Sequence, residues 1–461
     1  SAEWFDPEWM FGVKNGFDMV IGNPPYIQLQ KAIDHKCKHA DLYKDQNFKT
    51  FERPGDIYCL FYEKGISLLK KDGLLCYITS NKWMRAGYGE KLRKFFLQYN
   101  PKILMDLGPN VFQNTTVDTN ILIIQKTENQ HQLCAVTITE NKKNNLNLAD
   151  LLKRNSLIIS NLTSDAWFIG SDAEQRLKEK IEHIGKPLKD WDVNIYRGVL
   201  TGLNEAFIID SAKRKEILNN CRDEEERRRT EAIIKPILRG RDIKRYYYEW
   251  AGLWVIGTFP ALKLNIEDYP ALKKYFLDHF DIRQLEQSGK KYPELGFNAR
   301  KKTTNKWFEV QDTIAYYPEF EKEKIIYPNM TKFLPFVIDS NQMYVNQKCF
   351  ILTSDKAPLK YLVAYFNSSV SNMWIKNNCP ELQGGTRELS FIFFQKIPLP
   401  PITPTNELIV HQIESLADNI LSSKKENPQT ETDHWEKEID KCIYKLYDLT
   451  EEEIKIIEGE K

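Results

Sequence analysis

Between Gly16 and about Lys126, short apolar runs alternate with stretches whose apolar residues recur at helical spacing. Phe17–Gly22 reads as a buried strand that ends at a glycine-proline turn. Ile57 to Leu69 places Ile57, Leu60, Phe61, Ile66 and Leu69 on one helical face, and Lys71-Asp72-Gly73 stops it. Leu74–Ile78, Ile103–Leu107 and Asn120–Ile124 are strand-like, with a helical Leu92–Leu97 between the first two. This order predicts an open α/β sheet, whose ligands gather at the carboxyl ends of its strands.

Beyond this region the texture changes. Residues from about Glu140 to Ser164 are polar and rich in Asn and Lys, which suits a connector. From Trp167 to about Pro401, short β-rich runs (Ala206–Ile209, Leu253–Ile256, Lys324–Tyr327) sit among irregular segments rich in Tyr, Trp, Asn, Lys and Arg. After Pro398-Leu399-Pro400-Pro401, Asn406–Ser423 and His434–Tyr447 read as amphipathic helices. The run Arg222–Arg229 reads as a solvated helix face. A chain of 461 residues calls for two or three domains. The expected division is a catalytic α/β region at 1–130, a connector at 131–165, a mixed α/β region at 166–401 and a helical tail at 402–461.

Composition adds little. The 65 basic and 64 acidic residues leave a formal charge of +1, so any nucleic-acid surface must be a local basic face. The eight cysteines are scattered without a CxxC pair, which suits reduced thiols in the cytoplasm. No apolar run approaches the roughly 20 residues of a membrane span. His35-Lys36-Cys37-Lys38-His39 lacks a fourth ligand, so no metal is expected. Glu453-Ile454-Lys455 matches only the last element of a PD-(D/E)xK nuclease site and reads as a surface pattern.

The informative segment is Gly22-Asn23-Pro24-Pro25-Tyr26, directly after the first strand. An exocyclic amine is a poor nucleophile because its lone pair is delocalised into the ring. Two fixed acceptors can draw its N–H groups towards tetrahedral geometry, which is positioning and electrostatics rather than acid–base chemistry. The Asn23 side-chain oxygen and the Pro24 carbonyl would be those acceptors. Pro24 and Pro25 stiffen the loop and remove competing donors. Tyr26 offers a face to a base swung out of its stack. The motif points to an amino-group methyltransferase. Loops of this kind also serve methyltransferases of protein glutamine and of guanine in RNA, so the motif alone leaves the substrate open.

Residues 16–126 resemble the second half of the catalytic domain of gamma-class DNA adenine-N6 methyltransferases. The resemblance extends to Asp56–Phe61, Lys71–Ile78, Asn81–Met84, Leu107–Phe112 and Val117–Ile121, in that family's order. It implies a Rossmann-like sheet, S-adenosylmethionine as cofactor and flipping of adenine out of a DNA duplex. It also implies that Phe112 stacks on the flipped base opposite Tyr26, and that Phe61 lies near the cofactor's adenine. In that family a glycine-rich cofactor turn precedes the Asn-Pro-Pro-Tyr loop by dozens of residues. Only 22 residues precede Asn23 here and the chain opens on Ser1. The expectation is therefore a fragment that holds the target base's half of the site, binds cofactor poorly and methylates only as part of an intact parent.

From Trp167 onward the chain resembles the TaqI-type specificity domains of methyltransferases and single-chain (type IIG) restriction-modification enzymes. The pieces are Ile195–Val199, Thr201–Phe207, Ile237–Tyr246, Asn305–Glu309, Phe366–Ser369 and Ile397–Pro401, with a tail from Ile439 to Ile457. The resemblance implies a double-stranded DNA partner. A specificity domain needs cations for phosphates and side chains that reach base edges. Arg197, Arg239, Arg241, Lys244 and Arg245 supply a basic cluster beside Tyr246-Tyr247-Tyr248. Gln383, Thr386 and Arg387 sit on a polar loop. A monomer is expected. Two rival readings are an RNA or protein amino-group methyltransferase and a non-catalytic DNA-recognition module.

Overall fold

The apolar alternation of the first 160 residues builds one six-stranded sheet in the computed structural model. The structure describes residues 6–34, 37–108, 111–112, 117–138, 147–382 and 385–459. The strands are β1 (Phe17–Gly22), β2 (Leu69–Ser80), β3 (Asn100–Gly108), β4 (Thr119–Gln125), β5 (Leu133–Thr137) and β6 (Leu157–Ile159). Their order is β1-β2-β4-β3-β5-β6. β1 and β2 are parallel, and β4 runs antiparallel to both β2 and β3. β1, β2 and β3 therefore all end at the same edge of the sheet.

Two apolar layers fix this sheet. Tyr58, Tyr62 and Ile66 of α1 (Tyr58–Leu68) and Phe96 of α2 (Glu90–Phe96) pack with Leu75, Tyr77, Leu104, Leu122 and Ile124 in one cluster, together with Trp83 and Trp167. In a second cluster, Leu151 and Leu152 of α3 (Leu148–Asn155) pack against Met105, Leu107, Val136 and Ile138. α1 lies close on β2. An ideal Cβ at Gly65 would come within 2.6 Å of Leu75 Cδ1 and of the Tyr77 hydroxyl, so only glycine fits there. The connector expected over 131–165 also carries β5, α3 and β6. Leu133, Ala135, Val136 and Ile159 of this stretch are buried.

By its contacts the chain forms two units, one of 1–180 with 374–387 and one of 181–373 with 388–461. The second unit holds two four-stranded sheets. One is β7-β14-β11-β12, antiparallel throughout, made of β7 (Asn194–Arg197), β14 (Cys349–Thr353), β11 (Lys324–Pro328) and β12 (Val337–Asp339). The other is β8-β10-β9-β13, made of β8 (Ile208–Asp210), β10 (Leu253–Ile256), β9 (Ile234–Leu238) and β13 (Tyr344–Val345). A single core that includes Val199, Phe207, Ile237, Val255, Phe276, Ile326 and Ile351 joins them. The fold is mixed α/β, as the sequence predicts.

Two expectations change in this unit. Ala206 and Phe207 close a short helix, Asn204–Phe207, and the strand starts only at Ile208. The charged run does lie on a helix, α4 (Glu224–Ile233), but Glu226 is fully buried. Its carboxylate accepts from the backbone N–H groups of Arg222 and Ala271, at 2.9 and 2.8 Å. The tail forms α6 (Glu407–Glu426) and α7 (Asp433–Leu446), as expected, and then α8 (Glu451–Glu458). α8 opens with a capping box between Thr450 and Glu453. α5 (Leu359–Phe366) packs against α6 and α7. Among the described residues, no helix is long and apolar enough to cross a membrane.

Candidate active site and nucleic-acid surface

The loop Asn23–Tyr26 begins where β1 must stop. Two prolines carry no N–H for a sheet ladder, so pairing ends at Gly22 opposite Tyr77. Asn23 and Pro25 are exposed, Pro24 is buried and Tyr26 is half-buried. The Tyr26 ring meets Tyr58 of α1 edge-on at 6.3 Å, and its hydroxyl points at the Ile78 carbonyl, 3.5 Å away. Burial, aided by the nearby Asp56 carboxylate, raises the Tyr26 phenol above its ordinary range, so it stays a neutral hydroxyl.

Asp56 holds the far end of the loop. Its carboxylate accepts from the Ile27 N–H at 2.6 Å, and the Ile57 N–H donates to the Ile27 carbonyl at 2.9 Å. Burial pushes the Asp56 carboxyl up to about 6, against the N–H groups of Ile27, Ile57 and Tyr58 and the charge of Lys82. Tyr58 exchanges a hydroxyl hydrogen bond with Tyr88 at 2.8 Å. The loop is thus braced by the first turn of α1. Asp56 has no assigned role in the sequence reading, although an aspartate just before a helix is a recognisable capping signal.

The neighbouring strand ends are equally ordered. The Asn81 side chain donates to Asp106 at 3.0 Å, and its backbone N–H donates to the Asp118 carbonyl at 2.9 Å. The buried Asn120 amide donates to the Ser80 carbonyl at 3.0 Å. These bonds tie the ends of β2, β3 and β4 together beside the Asn23–Tyr26 loop. Phe112 follows β3, half-buried, but much of its loop lies outside the described residues. Phe61 lies on α1 and is 39% exposed, although Leu60 and Tyr62 on either side are buried. Asn23, Pro24, Pro25 and Tyr26 thus share one edge of the sheet with the end of β3 that precedes Phe112.

The second unit divides the basic cluster. Arg239 grips Asp242 with two parallel bonds of 2.9 and 2.8 Å, and Asp242 also accepts the Arg239 backbone N–H. Arg245 is paired with Glu436 of α7. Both guanidinium groups are therefore engaged by carboxylates of the protein while remaining partly exposed. Lys244 donates to the Arg241 carbonyl at 2.8 Å, 3.9 Å from Glu249. Arg241 and Arg197 are exposed. Tyr246 is buried with a left-handed φ of 66°, and the Tyr248 hydroxyl donates to the buried Asp339 at 3.0 Å. The tyrosine triplet is structural at both of these positions. Thr386 and Arg387 lie half-buried on a short strand, Thr386–Glu388, and Gln383 lies outside the described residues.

Residues 1–112 match the family model of the Eco57I restriction-modification methylase, and residues 235–399 match that of the TaqI-like C-terminal specificity domain. The type II methyltransferase M.BstVI of Geobacillus stearothermophilus is 25% identical over 96% of this chain and 75% of its own. The type II methyltransferase M.PaeR7I of Pseudomonas aeruginosa is 22% identical over 96% of this chain and 72% of its own. Among solved structures, that of the type IIL restriction-modification enzyme MmeI in complex with DNA has the same fold. Its TM-score is 0.60 at 12% identity, over 96% of this chain and 56% of that one. The chain spans little more than half of that structure. The chain thus joins an Eco57I-type methylase region at 1–112 to a TaqI-like C-terminal specificity domain at 235–399, and over nearly its whole length it is similar to the DNA methyltransferases of restriction-modification systems.

Proposed function

We propose that the methylated group is the N6 amine of adenine in duplex DNA, and that this chain carries the target-base side of the active site. The observation that supports this reading is the exposed Asn23 at a sheet edge, on a loop braced by Asp56 and Tyr58. Asn23 Oδ1 and the Pro24 carbonyl would accept the two N–H groups of the amine and hold its lone pair towards the donor. Pro25 stiffens the turn so that both acceptors are fixed before the base arrives. Tyr26 would cover one face of the extruded adenine and Phe112 the other. The raised Tyr26 phenol keeps that face uncharged.

S-adenosylmethionine would supply the electrophilic methyl group when bound. The residues present fit one part of it. Phe61, exposed on a helix turn whose neighbours are buried, would cover the cofactor's adenine. No glycine-rich phosphate- or ribose-type turn occurs in these 461 residues. The curated relatives extend beyond the stretch matched here, and the rest of the cofactor site is proposed to belong to such additional sequence. On this reading the present residues orient the base and exclude water from it. The exposed Arg197 and Arg241 and the half-buried Lys244 would meet the phosphates of the duplex.

The test is a product analysis. Unmethylated plasmid DNA is treated with the full-length protein and S-adenosylmethionine, digested to nucleosides and separated by mass. N6-methyldeoxyadenosine is the expected product. Methylation of cytosine, of RNA alone or of protein would reject the substrate assignment.

A further inference from the structure

The end of the β7-β14-β11-β12 sheet gathers cations that are far apart in sequence. Arg197 ends β7 opposite Phe350, and Pro328 ends β11 opposite Cys349, so both strands finish on either side of the start of β14. The turn just before β14 is bound from both flanks. Arg197 Nε donates to the Gln347 carbonyl at 3.1 Å, and the Asn329 N–H donates to the Lys348 carbonyl at 2.7 Å. An ideal Cβ at Gly240 would lie 3.5 Å from Pro328 Cβ and 3.9 Å from the Lys348 carbonyl, which brings the 3-10 turn of Arg241 to the same place. The acid on that turn, Asp242, is already engaged by Arg239. Arg197, Arg241, Lys332 and Lys348 are all exposed.

The connection from β11 to β12 leaves this same end of the sheet, since Ile326 pairs with Val337, and it carries an aromatic side chain turned to water. Phe333 is 79% exposed. Its loop is nonetheless anchored. Leu334 and Phe336 are buried, the Leu389 N–H donates to the Asn329 carbonyl at 2.7 Å, and the Phe333 N–H donates to Thr331 Oγ1 at 3.0 Å. An anchored loop that holds one apolar ring out at the cation-bearing end of a sheet has the make-up of an element that inserts beside stacked bases while its neighbours hold phosphates.

We propose that Phe333 is a wedge that enters a base step of the bound duplex, with Lys332, Lys348, Arg197 and Arg241 holding the flanking phosphates. The inference rests on the DNA reading above, and adds a residue that neither the basic cluster nor the Asn-Pro-Pro-Tyr loop includes. Duplex DNA is the occupant because this end of the sheet exposes Arg197, Arg241, Lys332 and Lys348, whereas an apolar protein partner would leave those cations without counter-charges.

The experiment follows binding of the full chain to a fluorescent pool of randomised duplexes over a series of salt concentrations. Lys348→Ala and Lys332→Ala should each lower the slope of log K against log salt by about one. Phe333→Ala should weaken binding roughly tenfold with the slope unchanged, as expected for loss of one base–aromatic contact. Phe333→Trp should retain affinity, and permanganate reactivity of unstacked thymines should appear with wild type and vanish with Phe333→Ala. Wild-type affinity and wild-type permanganate reactivity in Phe333→Ala would overturn the wedge while leaving the DNA reading intact. Absence of any duplex binding by wild type would instead overturn the DNA reading, and the wedge with it. If wild type sediments as a dimer and Phe333→Asp as a monomer, the ring belongs to a contact between copies and the proposal fails.

Discussion

Replacing Arg300 by methionine should unfasten a large part of the second unit. The residue is 3% exposed and its side-chain hydrogen bonds run to backbone carbonyls. Nε donates to Leu285 at 2.8 Å, Nη1 to Thr201 at 2.9 Å and Glu309 at 2.7 Å, and Nη2 to Trp307 at 2.6 Å. Its guanidinium carbon also lies 4.8 Å from the centre of the Phe207 ring. Burial pulls the group down to about 10, only partly opposed by Glu309, so it remains a cation at neutral pH. Methionine keeps most of the volume and removes every donor.

Four carbonyls then lose a charged partner, at about 1–3 kcal/mol for each that stays dry. The released desolvation of the guanidinium and entry of water offset part of that loss. The net destabilisation should be about 3–5 kcal/mol, as for breaking a buried charged network. In a unit of this size that lowers the melting temperature by roughly 6–20 °C. Thermal melting and amide hydrogen exchange would report it. Exchange should quicken at Gln311, whose N–H donates to the Leu200 carbonyl at 3.1 Å, and the six-stranded sheet should keep its protection. A melting temperature within 2 °C of wild type, with unchanged exchange at Gln311, would refute this account of the core.

Three further outcomes are expected. Lys324 and Asp339 form an ion pair of 2.6 Å with both side chains fully buried, and burial lowers the lysine. Lys324→Met alone should cost about 3 kcal/mol by leaving a buried carboxylate short of its cation, and adding Asp339→Asn should recover part of it; equal losses in single and double variants would exclude this coupling. Asp56 is raised by burial to about 6, so its favourable contribution is present at low pH and is lost as pH rises through that value. Asp56→Asn should match wild type near pH 4 and gain at most about 1–2 kcal/mol on it above pH 7, allowing for partial exposure, and denaturation at the two pH values checks the sign. Tyr26→Ala should leave duplex affinity within about threefold and reduce methyl transfer by about 10–100-fold, in proportion to a stacking loss of about 1–3 kcal/mol; undiminished single-turnover transfer would remove Tyr26 from the site.

Much of the first unit is legible in its sequence. Apolar runs mark β2 to β4, whose inward residues are buried, and they mark β1 as well; but β1 is an edge strand with Met19 and Ile21 exposed, not the buried strand its apolar run predicts. The Asn23–Tyr26 loop is legible because its residue types are demanded by chemistry and its place by the preceding strand. β5 and β6 are hidden because they are apolar runs of only five and three residues, set beside a polar stretch rich in Asn and Lys. In the second unit, side-chain partners decide what periodicity cannot show. Arg245 and Glu436 are 191 positions apart, so nothing local in the sequence foretells that pair. Asp242 is close to Arg239 in sequence, yet only the 3-10 turn aims its carboxylate at the guanidinium. The convergence of Arg197, Arg241 and Lys348 needs the register of three strands, which no short motif encodes.

The central claim is that Asn23 holds the reacting amine. The most direct measurement is single-turnover methyl transfer to plasmid DNA by the full-length protein and by its Asn23→Ala variant, read as N6-methyldeoxyadenosine, with duplex affinity measured alongside. Loss of one fixed acceptor at the amine should slow transfer by at least about 100-fold, with duplex affinity unchanged within about threefold because Asn23 is remote in sequence from the specificity domain at 235–399. Transfer at the wild-type rate by Asn23→Ala would contradict the account.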